Sequence, residues 1–393
     1  MKGNATNSAS MKSGNRRLIL NIIKKTPVSR AELARKTGLT RAAVTLIVDE
    51  LVRDGILIES GTMEAGYGRK PVLLDLNPAS YYAAGLSLTR VGCRMGIMDI
   101  KGNLLISREA DIANCDGADK CLEWIADGLR KMIDKSALPA EKLLGLGISA
   151  PGPVDIVSGE ILNPPNFDQW HNVNIVNILK KYFNFDIYLE NNSASLALAE
   201  KNYGRGMGFN SFMLLVVDTG IGAGIIINDR LYRGVGGFGS EVGHTSIDIH
   251  GIPCKCGNRG CLEVYASIPS AVGTVRNNGG SVATWRDIVD GALAGDKICR
   301  EAVDRESLYL SAGITNAMNI LELEAVILAG NITYKPQMLL DGIREYVGNS
   351  AITRNIRRLQ IMNSSIEKNQ DVISAASIII EKYFGGEIGC RGT

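Results

Sequence analysis

Three cysteines and a histidine lie close enough along the chain to bind one metal ion. They are His244, Cys254, Cys256 and Cys261. Three thiolates and one imidazole complete a tetrahedral Zn²⁺ site without an open position, which is typical of a structural zinc. The alternatives are His250 as the fourth ligand, or three buried thiols without metal. The spacing favours zinc because Gly257 and Gly260 give a tight metal-binding loop the backbone freedom that it requires.

A second place where chemistry is possible is a predicted corner between a strand and a helix. The stretch reads YLENNSASLALAE, from Tyr188 to Glu200, and its strand ends in Glu190, Asn191 and Asn192. α/β proteins place ligands where a strand ends and a helix begins. A carboxylate there could act as a general base, but this corner offers two amides. The residues alone leave open an enzyme site, a disabled enzyme site or a structural turn.

The first 78 residues are the basic part of the chain. They hold 13 Lys and Arg against 7 Asp and Glu, a net charge of +6, whereas the remainder holds 30 against 34, a net charge of −4. A small basic module in front of a mildly acidic body predicts a polyanionic partner for the module.

Helix signals divide this module into three helices and a wing. We predict a first helix near residues 15–25, a second over 30–37 that starts in a capping box of Ser29 and Glu32, and a third that Thr40 caps. ILIESG, TMEAGYGRK and PVLLDLN follow as strand, loop and strand. This order is typical of a winged helix-turn-helix. The third helix has a buried stripe of Val44, Ile47, Val48 and Leu51.

Polar and basic residues at the start of the third helix and at the base of the wing are the candidate DNA contacts. They are Thr40, Arg41, Ala42, Thr45, Arg69 and Lys70. The helix residues point away from the apolar stripe and can reach base edges in a major groove, and the wing residues can reach phosphates or a minor groove. The alternative is a protein-interaction module with an ordinary charged surface.

The rest of the chain has the pattern of an α/β protein. Strands are predicted over 81–88, 92–100 and 104–107, a helix over 121–135, and a last helix near 372–384 that packs back on the first lobe. Strand hairpins followed by helices occur in both halves, which predicts two lobes around a cleft. The 393 residues include 45% hydrophobic and 21% charged residues, an ordinary soluble balance.

Location and redox state follow from what the sequence lacks. No apolar run approaches the roughly 18–20 residues of a membrane span, and the polar N-terminus lacks the apolar core of a signal peptide. Eight cysteines in a chain this long do not suggest a disulfide scaffold. We therefore expect a cytoplasmic protein.

Five motifs in order carry a family resemblance. They are GISAPGPVD, LNPPNFDQW, DTGIGAG, GSEVGH and CKCGNRGCLE. Together they resemble the ROK family of sugar kinases and sugar-responsive repressors, and the winged module is similar to that of the repressor branch. The resemblance implies a fold like actin and hexokinase. It divides the chain into a DNA-binding domain (1–78), a first lobe (79–190, completed by 371–393) and a second lobe (191–370).

The resemblance also implies a sugar site and a zinc site. It places zinc on the three cysteines and His244. The implied sugar contacts are Asn166, Asn191, Asn192, Glu241, His244 and Glu263. ROK kinases have Asn-Asp at the corner, so Asn192 stands where the family has its catalytic Asp. A neutral amide cannot accept the proton of the attacking hydroxyl, and we therefore expect a site that binds sugar without catalysis.

The phosphate loops of the resemblance agree with a disabled kinase. In the first, Ser87 replaces an Asp and Thr89-Arg90 replace two glycines of the family pattern. The second survives as DTGIGAG and is expected to be vestigial, with Thr219, Gly220 and Gly222 as its residues.

The sequence as a whole thus predicts a repressor of carbohydrate-utilisation genes that is not an enzyme. Its expected partners are operator DNA, a sugar or sugar-derivative effector and a second copy of the chain, as a homodimer or a dimer of dimers. Two alternatives are an active sugar kinase fused to a DNA-binding module, and an interaction protein with a vestigial cleft.

Overall fold

The computed structural model describes residues 8–62, 71–90, 92–112, 117–165, 167–356 and 359–389. The chain divides into two compact units, Met1–Asn192 with Asn369–Thr393, and Ser193–Lys368. This division keeps the N-terminal module in the first unit, so the boundaries at 78 and 190 stay predictions. Among the described residues, no helix combines the length and the apolar character that crossing a membrane requires.

Helices and strands alternate through most of the described chain. The helices are α1 Ser8–Lys25, α2 Arg30–Thr37, α3 Arg41–Arg53, α4 Ala118–Ser136, α5 Ile175–Leu179, α6 Asn192–Tyr203, α7 Leu262–Ala266, α8 Ile268–Asn277, α9 Trp285–Leu293, α10 Lys297–Leu321, α11 Gln337–Ser350 and α12 Gln370–Gly385. The strands are β1 Val28–Ser29, β2 Leu57–Thr62, β3 Val72–Leu76, β4 Tyr82–Leu88, β5 Gly92–Asp99, β6 Leu104–Asp111, β7 Leu143–Ala150, β8 Val154–Asp155, β9 Glu160–Ile161, β10 Asp186–Asn191, β11 Phe212–Val217, β12 Ile221–Ile227, β13 Arg230–Leu231, β14 Ala325–Ala329 and β15 Gln360–Asn363.

The N-terminal module is the winged helix that the sequence predicts. It consists of helices α1, α2 and α3 and a three-stranded antiparallel sheet in the order β1-β3-β2, in which β1 lies between α1 and α2 in sequence. Helix α3 begins at a cap in which the Thr40 side chain accepts the Ala43 N–H, and α2 ends at Gly38 with φ of 73°. The predicted stripe of α3 is buried, which fixes this helix in the module: Val44, Ile47, Val48 and Leu51.

Two details of this module differ from the prediction. Helix α1 begins at Ser8 rather than near residue 15. The sequence does not reveal the earlier start because the first turns are polar and lack the apolar periodicity of a helix. Ser29 does accept the Glu32 N–H, but the capping box is not reciprocal, since the Glu32 carboxylate lies 2.9 Å from Lys36 Nζ instead.

The first unit continues into a five-stranded sheet in the order β10-β7-β4-β5-β6. Strand β7 is parallel to β4 and β10, while β4, β5 and β6 form an antiparallel meander. The C-terminal helix α12 packs closely on this sheet. A Cβ at Gly85 would lie 2.6 Å from the Val372 carbonyl oxygen, and one at Gly147 would lie 1.9 Å from that of Ala375. Glycine at these two positions therefore sets how near α12 approaches β4 and β7.

The second unit has its own five-stranded sheet in the order β13-β12-β11-β14-β15. Strands β11, β14 and β15 are parallel, and β12 is antiparallel to β11. Side chains of α8, α9, α10 and α11 share one core with this sheet, with Trp285 among its largest buried members. The predicted strand hairpins with helices are therefore confirmed in each unit.

Candidate functional site

The structure brings His244 and the three cysteines together in the second unit. Their ligand atoms all lie within 4.8 Å of one another. Cys254 Sγ is 3.7 Å from His244 Nδ1, and Cys256 Sγ is 3.7 Å from Cys261 Sγ. Zn–S bonds of about 2.3 Å give a tetrahedron with edges of about 3.8 Å. The four residues therefore have the spacing of one tetrahedral metal ion, while His250 lies outside this cluster in the described chain.

A short loop with two left-handed glycines positions the cysteines. The Cys254 N–H donates to the Asn258 carbonyl at 2.8 Å and the Gly257 N–H to the Cys254 carbonyl at 3.0 Å. Gly257 and Gly260 have φ of 95° and 66°, a region that glycine enters without strain. The prediction that the loop needs these glycines is confirmed by their conformation.

The thiols of this cluster have different acidities. Burial raises the pKa of the Cys261 thiol to about 12. The backbone N–H of Asn258 lowers the pKa of the exposed Cys256 thiol. The cluster thus joins one buried and one solvent-facing sulfur.

Glu241 and Glu263 flank the metal cluster on either side in sequence. Glu241 precedes the 3₁₀ turn that carries His244, and Glu263 lies in the first turn of α7, two residues after Cys261. Loss of hydration raises the pKa of the Glu241 carboxyl; the neighbouring Glu263 adds to this rise and His244 opposes it. Two of the three sugar residues predicted for this unit are thus acidic groups held near the metal cluster.

Glu263 also holds the second glycine loop. Its Oε2 accepts the Ile221 N–H at 2.8 Å, and a Cβ at Gly220 would lie 2.6 Å from that oxygen. A Cβ at Gly222 would lie 2.3 Å from Ser193 Oγ. A side chain at either position would therefore displace the Glu263 carboxylate or the Ser193 hydroxyl, whether or not a phosphate binds. Thr219 between β11 and β12 is exposed.

The corner after β10 holds Asn192 through both ends of its amide. Asn192 Oδ1 accepts from Ser149 Oγ at 2.6 Å, and Nδ2 donates to the Leu88 carbonyl at 3.4 Å. Asn191 is half-buried next to Gly152, where an added Cβ would lie 2.5 Å from Asn191 Nδ2. A carboxylate at 192 could not donate to Leu88, so this corner accommodates an amide better than an ionised acid.

The first hairpin differs from a phosphate-binding loop in the way the sequence indicates. Thr89 closes it, since its N–H and Oγ1 both donate to the Gly92 carbonyl, at 2.8 and 2.9 Å. The Arg90 side chain donates to the Pro165 carbonyl at 2.9 Å, and Ser87 is buried. The Thr89 side chain thus forms one of the bonds that close this turn.

The start of α3 presents an open polar surface. Thr40, Arg41, Ala42 and Thr45 are exposed, and Thr45 Oγ1 donates to the Arg41 carbonyl at 2.9 Å. The Arg41 guanidinium has no hydrogen-bonding partner among the described residues, so it is available to a ligand. Three further predicted contacts lie outside the described residues: Asn166, Arg69 and Lys70.

Helix α1 contacts the end of helix α12, the last helix of the first unit, and no sequence pattern predicts this contact. Arg17 Nη1 donates to the Gly385 carbonyl at 2.7 Å and Asn21 Nδ2 to the Phe384 carbonyl at 3.3 Å. Lys24 Nζ lies 4.5 Å from the centre of the Phe384 ring. Helix α1 thereby caps the carbonyl end of α12, the helix that packs on β4 and β7. No local pattern signals this contact, because its partners are more than 360 residues apart.

Comparison with known proteins gives matches over nearly the whole chain. The ROK family model matches residues 90–382, and a model described as winged helix-turn-helix DNA-binding matches residues 12–58. The chain is 31% identical over 375 residues to the xylose repressor of Bacillus spizizenii, covering 95% of this chain and 96% of that protein. It is 26% identical over 370 residues to the N-acetylglucosamine repressor of Escherichia coli, covering 92% and 90%.

A solved structure is similar over the same extent. The crystal structure of a ROK family transcriptional regulator, a homologue of the Escherichia coli MLC protein, matches with a TM-score of 0.81 at 25% identity. The match covers 96% of this chain and 97% of that one.

Proposed function

The chain belongs to the ROK family, and from this premise we propose that it is a sugar-responsive transcriptional repressor rather than a sugar kinase. The observation that carries the proposal is the amide of Asn192. It stands at the family's base position in a chain that also has a winged helix with an exposed Arg41. The membership inferred from five sequence motifs is confirmed.

Asn192 supports the loss of catalysis on chemical grounds. An amide has no proton-accepting lone pair of useful basicity, and the loss of a general base typically costs about 10²–10⁴ in rate. Its hydrogen bonds to Ser149 and Leu88 satisfy the amide as a structural group. The Thr89 side chain, which closes the first hairpin, further separates this chain from a phosphate-binding loop.

We propose that a sugar or sugar derivative is the effector, because two relatives are named xylose repressor and N-acetylglucosamine repressor. Its proposed contacts are Asn166, Asn191, Asn192, Glu241, His244 and Glu263. Carboxylates and amides suit vicinal hydroxyls because they offer acceptors and donors in fixed directions.

The metal we propose for the Cys3His cluster is a structural Zn²⁺. His244 Nδ1 faces Cys254 Sγ, so Nε2 remains for a sugar hydroxyl, and one imidazole can serve both sites. Zinc would tie the 3₁₀ turn after Glu241 to the loop before Glu263. Its contribution is therefore to hold two sugar contacts in place.

The DNA partner is proposed to be an operator read by α3. Thr40, Arg41, Ala42 and Thr45 would contact bases, and Arg69 and Lys70 would contact the backbone. We propose that the protein acts in the cytoplasm as a homodimer or a dimer of dimers, because paired helix-turn-helix modules read half-sites about 34–36 Å apart.

The contact of α1 with α12 offers a route by which the effector could reach the DNA module. Helix α12 lies on β4 and β7, and β7 carries Ser149, the partner of Asn192. A shift of these strands would therefore move α12, and α12 would move α1 through Arg17 and Asn21. An effector changes DNA affinity only if it binds the two states of the protein differently.

A kinase assay tests the non-enzyme part of the proposal. The purified chain is incubated with ATP, Mg²⁺ and a panel of sugars that includes xylose and N-acetylglucosamine, and sugar phosphate is quantified. We expect no turnover above a no-protein control. Asn192→Asp alone should also remain inactive because the first hairpin is altered. Robust phosphorylation by the unmodified chain would establish the alternative, a kinase fused to a DNA-binding module.

A further inference from the structure

One cavity in the second unit shares no residue with the metal cluster, the glycine loop or the acidic pair. Its volume is about 620 Å³, and it lies beside β15 and the ends of α10 and α11. Strand β15 is an edge strand of this sheet, so the cavity lies at the edge of the sheet opposite to β13. Small-molecule sites typically have volumes of about 300–1,000 Å³.

Three arginines line this cavity: Arg205, Arg344 and Arg354. The guanidinium groups of two of them bond only to neutral oxygens in the described structure. Arg205 Nη1 donates to Asn363 Oδ1 at 3.0 Å, and Arg354 Nη1 donates to the Ala351 carbonyl at 3.2 Å. Each guanidinium has five N–H donors, so most of their donors remain for a ligand.

Arg344 is held in place by the edge strand. Its Nε and Nη2 both donate to the Ile361 carbonyl, at 3.1 and 2.7 Å, while Nη1 lies 3.0 Å from Asp341 Oδ1. Asp341 does not line the cavity, and none of the described residues that do is acidic. Three positive charges thus share one cavity, with the Asp341 carboxylate beside Arg344 and the Glu200 carboxylate accepting the backbone N–H of Arg205. Such a cluster repels itself and attracts an anion.

Apart from Gln360, the rest of the lining is apolar or glycine. Met318, Val347 and Leu359 are buried residues of α10, α11 and the segment before β15. A ligand for this cavity therefore needs an anionic group for the guanidiniums and a body that tolerates apolar contact. Guanidinium groups pair with phosphate through two parallel hydrogen bonds.

We propose that this cavity is a second ligand site, which binds a phosphomonoester with a partly apolar body. A phosphomonoester carries close to two negative charges at neutral pH, so more than one guanidinium is needed to balance it. The cavity shares no residue with the proposed sugar contacts, so its binding is measurable without DNA or sugar.

The test measures the binding of phenyl phosphate to the full chain by isothermal titration calorimetry. Inorganic phosphate and phenol are the part-probes, and sodium chloride at equal ionic strength is the salt control. Arg354→Gln and Arg205→Gln are the test variants. Arg300→Gln is the matched control, because Arg300 is an exposed residue of α10 beside Asp304 and does not line the cavity.

We expect saturable binding of phenyl phosphate that is stronger than that of either part-probe. Each test variant should weaken it about tenfold or more, while Arg300→Gln leaves it unchanged; loss of one charge-assisted contact is worth about a factor of ten. Absence of saturable binding would overturn the proposal. So would equal weakening by Arg300→Gln, which would show that the anion responds only to the general surface charge.

Discussion

Arg17→Ala tests whether the DNA module is controlled through the last helix of the chain. Arg17 donates a 2.7 Å hydrogen bond to the Gly385 carbonyl at the end of α12. A hydrogen bond from a charged donor contributes about 1.5–3 kcal/mol, and we take the lower value because the contact is exposed. The interaction of a cation with a helix C-terminus adds about 0.3–1 kcal/mol. The substitution should therefore weaken the docking of α1 on α12 by about 2 kcal/mol.

That energy is comparable with the effect it is expected to transmit. Allosteric coupling is typically about 1–3 kcal/mol, so loss of about 2 kcal/mol would reduce the ratio of operator affinities without and with sugar by up to about thirtyfold. Asn21 and Lys24 also contact Phe384 and should preserve a remainder. Operator affinity in the absence of sugar should change little, because Arg17 is not among the proposed DNA contacts.

Arg16→Ala is the matched control for this experiment. Arg16 lies next to Arg17 on α1, but its Nη2 is 3.0 Å from Asp54 Oδ2 inside the winged module. Both variants remove one positive charge, so non-specific attraction to DNA falls equally. Operator affinity is measured by fluorescence anisotropy with and without saturating sugar. If the two variants retain the same affinity ratio as the unmodified protein, the route through α12 is wrong.

Three further predictions concern metal, DNA and stability. Metal analysis should find about one zinc per chain, and Cys256→Ser should lose it and lower the melting temperature; a variant that folds and binds sugar normally without metal would contradict the zinc proposal. Arg41→Ala should weaken specific operator binding by about 1–3 kcal/mol without a similar loss on random DNA, and an unchanged operator affinity would remove Arg41 from the base contacts. Burial raises the pKa of Glu306 well above its ordinary value, so the folded chain binds that proton more tightly than the unfolded chain and loses stability as pH rises from the unfolded pKa through the folded pKa. Glu306→Gln should therefore be more stable than the unmodified protein at pH 7 but not at pH 4. At pH 7 its free energy of unfolding should be higher by more than about 1.4 kcal/mol if the folded pKa of Glu306 exceeds the unfolded pKa by more than about one. Glu301→Gln on the exposed side of α10 should show no such dependence, and a pH-independent difference in thermal unfolding for Glu306→Gln would refute the cause.

Local signals account for the parts of the fold that the sequence predicts. Helix α2 has the predicted bounds because Ser29 caps its start and Gly38 has a left-handed conformation at its end. The buried stripe of α3 follows from four apolar residues at helical spacing. The cluster of His244 with three cysteines is also predictable, because the cysteines lie within eight residues of one another.

Contacts between distant residues account for what the sequence does not show. Gly220 and Gly222 look like a phosphate-binding pattern in the sequence, yet the structure places the ends of the Glu263 and Ser193 side chains against them. The capping of α12 by Arg17 joins opposite ends of the chain. The arginine cavity draws on residues separated by about 150 positions and has no motif. Only the folded structure brings such groups together.

In the proposed function, one chain senses a sugar and changes its binding to DNA in response. The most direct measurement is the affinity for an operator, selected from random duplexes, with and without each sugar of a panel that includes xylose and N-acetylglucosamine. At least one sugar should change the affinity by about 1–3 kcal/mol. Glu263→Ala should bind the operator and lose that response. Glu263→Gln separates loss of the loop contact from loss of the charge, because its amide oxygen can still accept the Ile221 N–H. An operator affinity that no sugar alters would contradict the proposed sugar response. An equal response in Glu263→Ala would contradict the proposed role of Glu263 in it.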